Sequence, residues 1–105
     1  MTAGMKGKAE TVVTEKNTAK AMGSGTLDVF ATPAMVALME EAAWKCVVPE
    51  LEPGMGTVGT LMNVQHTSAT PLSMHVTAEC ELTEVDNRRL VFTVKAFDEV
   101  GPIGS

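Results

Sequence analysis

The strongest hydrophobic signal lies at residues 33–47. There Ala34, Met35, Val36, Ala37, Leu38, Met39, Ala42, Ala43, Trp44 and Cys46 leave almost no polar face. Thr32-Pro33 reads as a helix start, because threonine can cap the free amides of a first turn and proline is favoured at the first helical position. Pro49 ends the pattern, so the predicted helix covers 33–47. A helix apolar nearly all round must be enclosed on most sides. In a chain of 105 residues the enclosure has to come from a sheet curled around it, helped by a partner subunit.

The pattern then changes from a period of about 3.6 to a period of two. In 57–66 the positions Val58, Thr60, Met62, Val64 and His66 share one face of a predicted strand. In 74–83, Met74, Val76, Ala78, Cys80 and Leu82 alternate with His75, Thr77, Glu79, Glu81 and Thr83. In 89–98, Leu90, Phe92, Val94 and Ala96 oppose Val91, Thr93, Lys95 and Phe97. The polar stretch 84–88 contains Asp86-Asn87, a hairpin turn, so the last two strands form an antiparallel pair. Weaker alternation around Val12 and Val13 predicts a first strand within 9–22, and Gly23-Ser24-Gly25 a turn. Residues 1–8 are small, polar and glycine-bearing, and are expected to be flexible. Strand, buried helix, then a run of antiparallel strands is an α+β domain, one helix against one sheet, filling 1–105.

Composition narrows the function classes. Thirteen Asp and Glu stand against eight Lys and Arg, for a net charge of −5. That excludes a general nucleic-acid or anionic-membrane binder, which needs a basic surface. It leaves open a small anionic ligand gripped by a few cations or backbone amides. Two cysteines, Cys46 and Cys80, both in apolar stretches, read as buried free thiols in a reducing cytosol. The first ten residues hold no apolar signal core, and the longest apolar run, 31–39, is far short of the ~20 residues of a membrane helix. A soluble, cytoplasmic protein is expected. No Gly-rich phosphate loop, CxxC pair, HExxH or GxSxG motif is present, and two histidines with two dispersed cysteines do not suggest a zinc site.

Three side chains are candidates for chemistry. Glu40 sits mid-helix between apolar neighbours, where a carboxylate is harder to ionise and can act as acid, base or nucleophile. It equally fits, with Glu41, the one solvated stripe of the helix. His66 ends the apolar face of its strand and is a candidate base, or a hydrogen-bonded core histidine. Thr32 places a hydroxyl at a helix N-terminus, where capping is a sufficient role by itself. Gly59 interrupts a strand, which marks a bulge or a close backbone approach. The loop 67–71 is built of small residues that can bring amides near a ligand. His75, on the polar face of its strand, reads as solvated.

Taken in order, FATPAMVALMEEAA, TVGTLMNVQHTSATP and RRLVFTVKAFDEVGPIG resemble the hotdog-fold thioesterases related to fluoroacetyl-CoA-specific thioesterase. The resemblance covers about 5–104. ATPAM-x-x-LME and VGT-x-x-x-V-x-H-x-x-ATP are specific together and weak apart. It implies one long buried helix wrapped by a curved antiparallel sheet, a homodimer, and hydrolysis of a small acyl-CoA thioester with no cofactor or metal. It places the family's catalytic threonine, carboxylate and histidine on Thr32, Glu40 and His66, and its thioester-approaching glycine on Gly59. By position, Val29, Phe30, Met35 and Met62 are candidates for lining an acyl pocket. The family pattern continues past Ile103-Gly104 into a G-T-H-E-R-like segment and a final C-terminal strand that these 105 residues do not carry. That departure keeps a second expectation open, a non-catalytic hotdog module that binds acyl-CoA or dimerises. A hotdog dehydratase is a third, against which the Thr, Glu and His set argues by analogy.

Overall fold

Strands β1 (Lys6–Val12), β2 (His75–Asp86), β3 (Arg89–Asp98) and β4 (Pro102–Gly104) make one antiparallel sheet in the order β1-β2-β3-β4. The computed structural model describes residues 1–105. A short helix, α1 (Ala19–Met22), and the long helix α2 (Thr32–Val47) lie between β1 and β2 in sequence. No helix is long and apolar enough to cross a membrane.

The period-two reading of β2 and β3 places the core. Val76, Ala78, Cys80 and Leu82 turn inward and are buried, together with Ala96 of β3 and Ile103 of β4. Against them α2 buries Met35, Leu38, Met39, Ala42, Cys46 and Val47, an i, i+3, i+4, i+7 face. The hairpin turns at Asn87-Arg88, with Asn87 in the left-handed region at φ 55°, a conformation asparagine tolerates better than most residues.

Gly7 is where β1 and α2 come closest. A Cβ there would run into the Ala42 carbonyl and the Cys46 side chain. Opposite Gly7 in the sheet is Cys80. Both cysteines are free and buried. Burial, with the Cys46 thiol beside it, pushes the Cys80 thiol up to about 11, so it stays protonated and unreactive.

Four expectations change. The first strand begins at Lys6, inside the lead expected to be flexible, because 6–12 find the whole of 75–81 as a partner. The cap of α2 is Ala31, with no side-chain bond, and Thr32 is the first helical residue. The helix is not enclosed on every side within one chain: Trp44 and Val48 remain 44% and 43% exposed. Finally, 57–64 forms no strand. Only Gln65 and His66 meet a neighbour, through paired Gln65–Ser105 backbone bonds and a bridge to Gly104. Without a ladder beside 57–64, its alternation buries little: Val64 is half-buried against the core, while Val58 and Leu61 stand 86% and 85% exposed.

Candidate active site

The N-terminus of α2 is held from two sides. The Phe30 N–H donates to the Thr70 carbonyl at 2.8 Å, and the Ala31 N–H to the Asn17 carbonyl at 2.9 Å. Asn17 is itself fixed, its Nδ2 donating to the Val12 carbonyl and its Oδ1 accepting from the Thr14 amide. Thr32 therefore starts the helix from an anchored backbone. Freed of capping, its hydroxyl faces His66, with Oγ1 and Nδ1 2.8 Å apart.

His66 is positioned by β4. Besides the Gly104 bridge, the Thr67 amide and hydroxyl donate to the Ile103 carbonyl at 2.7 and 3.1 Å, and the Ser68 amide to the same oxygen at 3.3 Å. The amides of Thr67 and Ser68 are thus engaged inside the protein rather than aimed at a ligand. His66 Nε2 is buried and has no hydrogen-bond partner. Burial holds the imidazole below its usual 6.5, and the Ser68 backbone beside it offsets only part of that. With the ring proton on Nε2, Nδ1 accepts from the Thr32 hydroxyl, which is the polarity of a base activating a hydroxyl.

A cavity of about 240 Å³ opens over this pair, lined by Val29, Phe30, Thr32, His66, Ser68 and Ala69 among others. The structure thus brings Thr32, His66, Phe30 and Val29 together. Met35 is fully buried with its sulfur beneath Gly104, and it supports β4 rather than lining the cavity. Met62 lies in the irregular segment, 38% exposed. Glu40 and Gly59 meet each other instead: a Cβ on Gly59 would run into the Glu40 carboxylate. Glu40 is exposed, so it is not the carboxylate held among apolar side chains that its neighbours in sequence suggested. The period explains this, because 38, 39 and 42 face the sheet while 40 points out toward 57–62. Asn17, Thr70 and the Ile103 carbonyl were not singled out by sequence pattern. Only Thr70 carried a signal, as part of the ATP segment.

A profile of the fluoroacetyl-CoA-specific thioesterase family matches residues 13–105. The fluoroacetyl-CoA thioesterase of Streptantibioticus cattleyicolor is 50% identical over 78 residues, covering 74% of this chain. The alignment takes in 56% of that relative, so the chain spans little more than half its length. A crystal structure of a variant fluoroacetyl-CoA-specific thioesterase in complex with fluoroacetate and CoA superposes with a TM-score of 0.92 at 39% identity, over 99% of this chain and 88% of the other. A thioesterase superfamily member from Thermus thermophilus gives 0.88 at 30% identity, over 98% and 77%. With the family profile matching 13–105 and the helix-against-sheet architecture superposing on these relatives, the chain belongs to the fluoroacetyl-CoA-specific thioesterase family and has its hotdog fold.

Proposed function

We propose that this protein hydrolyses a small acyl-CoA thioester to the free acid and CoA. The observation that carries the reading is the 2.8 Å contact between Thr32 Oγ1 and His66 Nδ1 at an open cavity. Neutral His66 accepts the Thr32 proton while Thr32 takes one from water, and the water oxygen attacks the thioester carbon. The tetrahedral oxyanion collapses, the C–S bond breaks, and the proton held on His66 returns to the thiolate. The family resemblance assigns the oxyanion to amides near Gly59, which here sits against Glu40 and outside the cavity lining, and Phe30 packs the acyl group. Met35 contributes indirectly, by supporting β4. Glu40, accessible and seated against Gly59, favours a second route, attack on the thioester carbon to give an anhydride that water opens.

The same reading makes the protein a cytoplasmic homodimer that needs no metal or cofactor. The exposed apolar side chains Trp44, Val58 and Leu61 support self-association, which would remove them from water. The test is release of free thiol from acetyl-CoA and other short acyl-CoAs. Wild type is expected to turn over and His66→Ala to lose most of the rate, while Glu40→Gln loses it by the second route and keeps it by the first. An equal background rate for all three overturns the enzymatic reading, and binding of acyl-CoA without turnover assigns a binding module instead. Acyl transfer to hydroxylamine, abolished in Glu40→Gln, marks the anhydride route.

A further inference from the structure

We propose that Thr70 and Asp98 form a positioning pair that sets the contact between Thr32 and His66, an inference that rests on the hydrolytic reading above. Thr70 is one of two buried polar residues, with no exposure at all. Its hydroxyl donates to Asp98 Oδ2 at 2.8 Å. Its carbonyl accepts from the Phe30 amide, two residues before Thr32. The other oxygen of Asp98, Oδ1, accepts from the amides of Val100 and Gly101 at 2.8 and 3.1 Å, while the Asp98 amide donates to the Gly101 carbonyl.

Those last bonds shape the turn that delivers β4, and β4 is the strand to which His66, Thr67 and Ser68 are tied. One carboxylate therefore braces both halves of the site. Through Oδ1 it fixes the turn into β4, to which His66 is tied, and through Oδ2 and Thr70 it fixes the approach to Thr32. Burial opposes the charge on Asp98, but the bonds from Thr70, Val100 and Gly101 outweigh it and hold the carboxyl below its ordinary value. The carboxylate thus stays ionised, and its hydrogen bonds strong, across neutral pH. Neither residue lines the cavity, so both act through Thr32 and His66. A small displacement suffices, because an error of about 1 Å at a reacting pair can cost on the order of a hundredfold in rate.

The experiment compares Thr70→Val, Thr70→Ser and Asp98→Asn with wild type by thiol release from acetyl-CoA, and by the ring-nitrogen chemical shifts of His66 without substrate. Thr70→Val keeps the shape and removes the donor. It is expected to lower kcat at least about tenfold with KM within twofold, and to move the His66 ring-nitrogen signals. Thr70→Ser restores the donor and should recover most of kcat. Asp98→Asn repeats the kcat loss and decides the matter should Thr70→Val not fold. The pair is overturned if kcat and the His66 signals of a folded Thr70→Val or Asp98→Asn match wild type. It is equally overturned if Thr70→Ser loses as much as Thr70→Val. A wild type without turnover refutes the hydrolytic reading, and the His66 signals then decide alone whether the pair sets the ring.

Discussion

Replacing Thr32 by valine removes one hydroxyl and little else. Ala31, not Thr32, caps α2, so no capping bond is lost, a loss that ordinarily costs ~1 kcal/mol. Threonine and valine also have similar helix propensities. The Tm of Thr32→Val should therefore fall only by the loss of the Thr32–His66 hydrogen bond, about 0.5–1.5 kcal/mol, where ~1 kcal/mol moves a domain of this size by about 4–8 °C. The kinetic effect should be far larger. Were the hydroxyl only to steady the imidazole, its loss would remove a neutral hydrogen bond of about 0.5–1.5 kcal/mol, roughly two- to tenfold in rate. As a proton relay between water and His66 Nδ1, it is worth about 10²–10⁴-fold. The account predicts the second range in kcat for thiol release from acetyl-CoA, with Thr32→Ser recovering most of it. A kcat for Thr32→Val within threefold of wild type, in a protein folded at the assay temperature, refutes the relay.

Because burial lowers the His66 pKa, kcat/KM for acetyl-CoA should stay flat around neutral pH and fall on acidification only below the ordinary imidazole value of about 6.5; an acid limb centred at or above pH 7 contradicts this. The same shift has a stability sign. The unfolded chain takes up the His66 proton before the folded one, so stability falls as pH drops from about 6.5 through the folded pKa, and denaturant midpoints in His66→Gln should lose that part of the slope. Gly59→Ala puts a methyl group into the Glu40 carboxylate and should cut kcat about tenfold with little change in Tm, since both residues are exposed; kinetics identical to wild type would show that the Glu40–Gly59 contact is dispensable. Leu61→Asp, at a side chain 85% exposed in the single chain, should shift sedimentation from dimer to monomer, and an unchanged dimer would remove the 57–64 segment from the interface.

Much of this site was legible in the chain because its elements announce themselves locally. Thr32-Pro33 and Pro49 bracket α2, and the alternation of β2 and β3 turns Val76, Ala78, Cys80 and Leu82 inward as expected. What failed is what depends on neighbours distant in sequence. The alternation of 57–66 is genuine, but a strand needs a ladder, and only its last residues meet β4. Thr32 looked like a cap because capping is decided within three residues, whereas its actual partner is 34 residues away. For Glu40 the apolar neighbours allowed an enclosed carboxylate, but the helical period puts it outward, as the solvated-stripe alternative has it. Asp98 gave no signal: it ends a regular strand, and its importance lies in bonds to Thr70 and the β3–β4 turn that no spacing rule reveals.

The central claim is that Thr32 and His66 act as one unit. A double-mutant cycle with Thr32→Val and His66→Ala, read as kcat for thiol release from acetyl-CoA, measures that directly. Two residues in one proton relay should give a double variant no slower than His66→Ala alone. Losses that multiply would show two independent contributions and contradict the account.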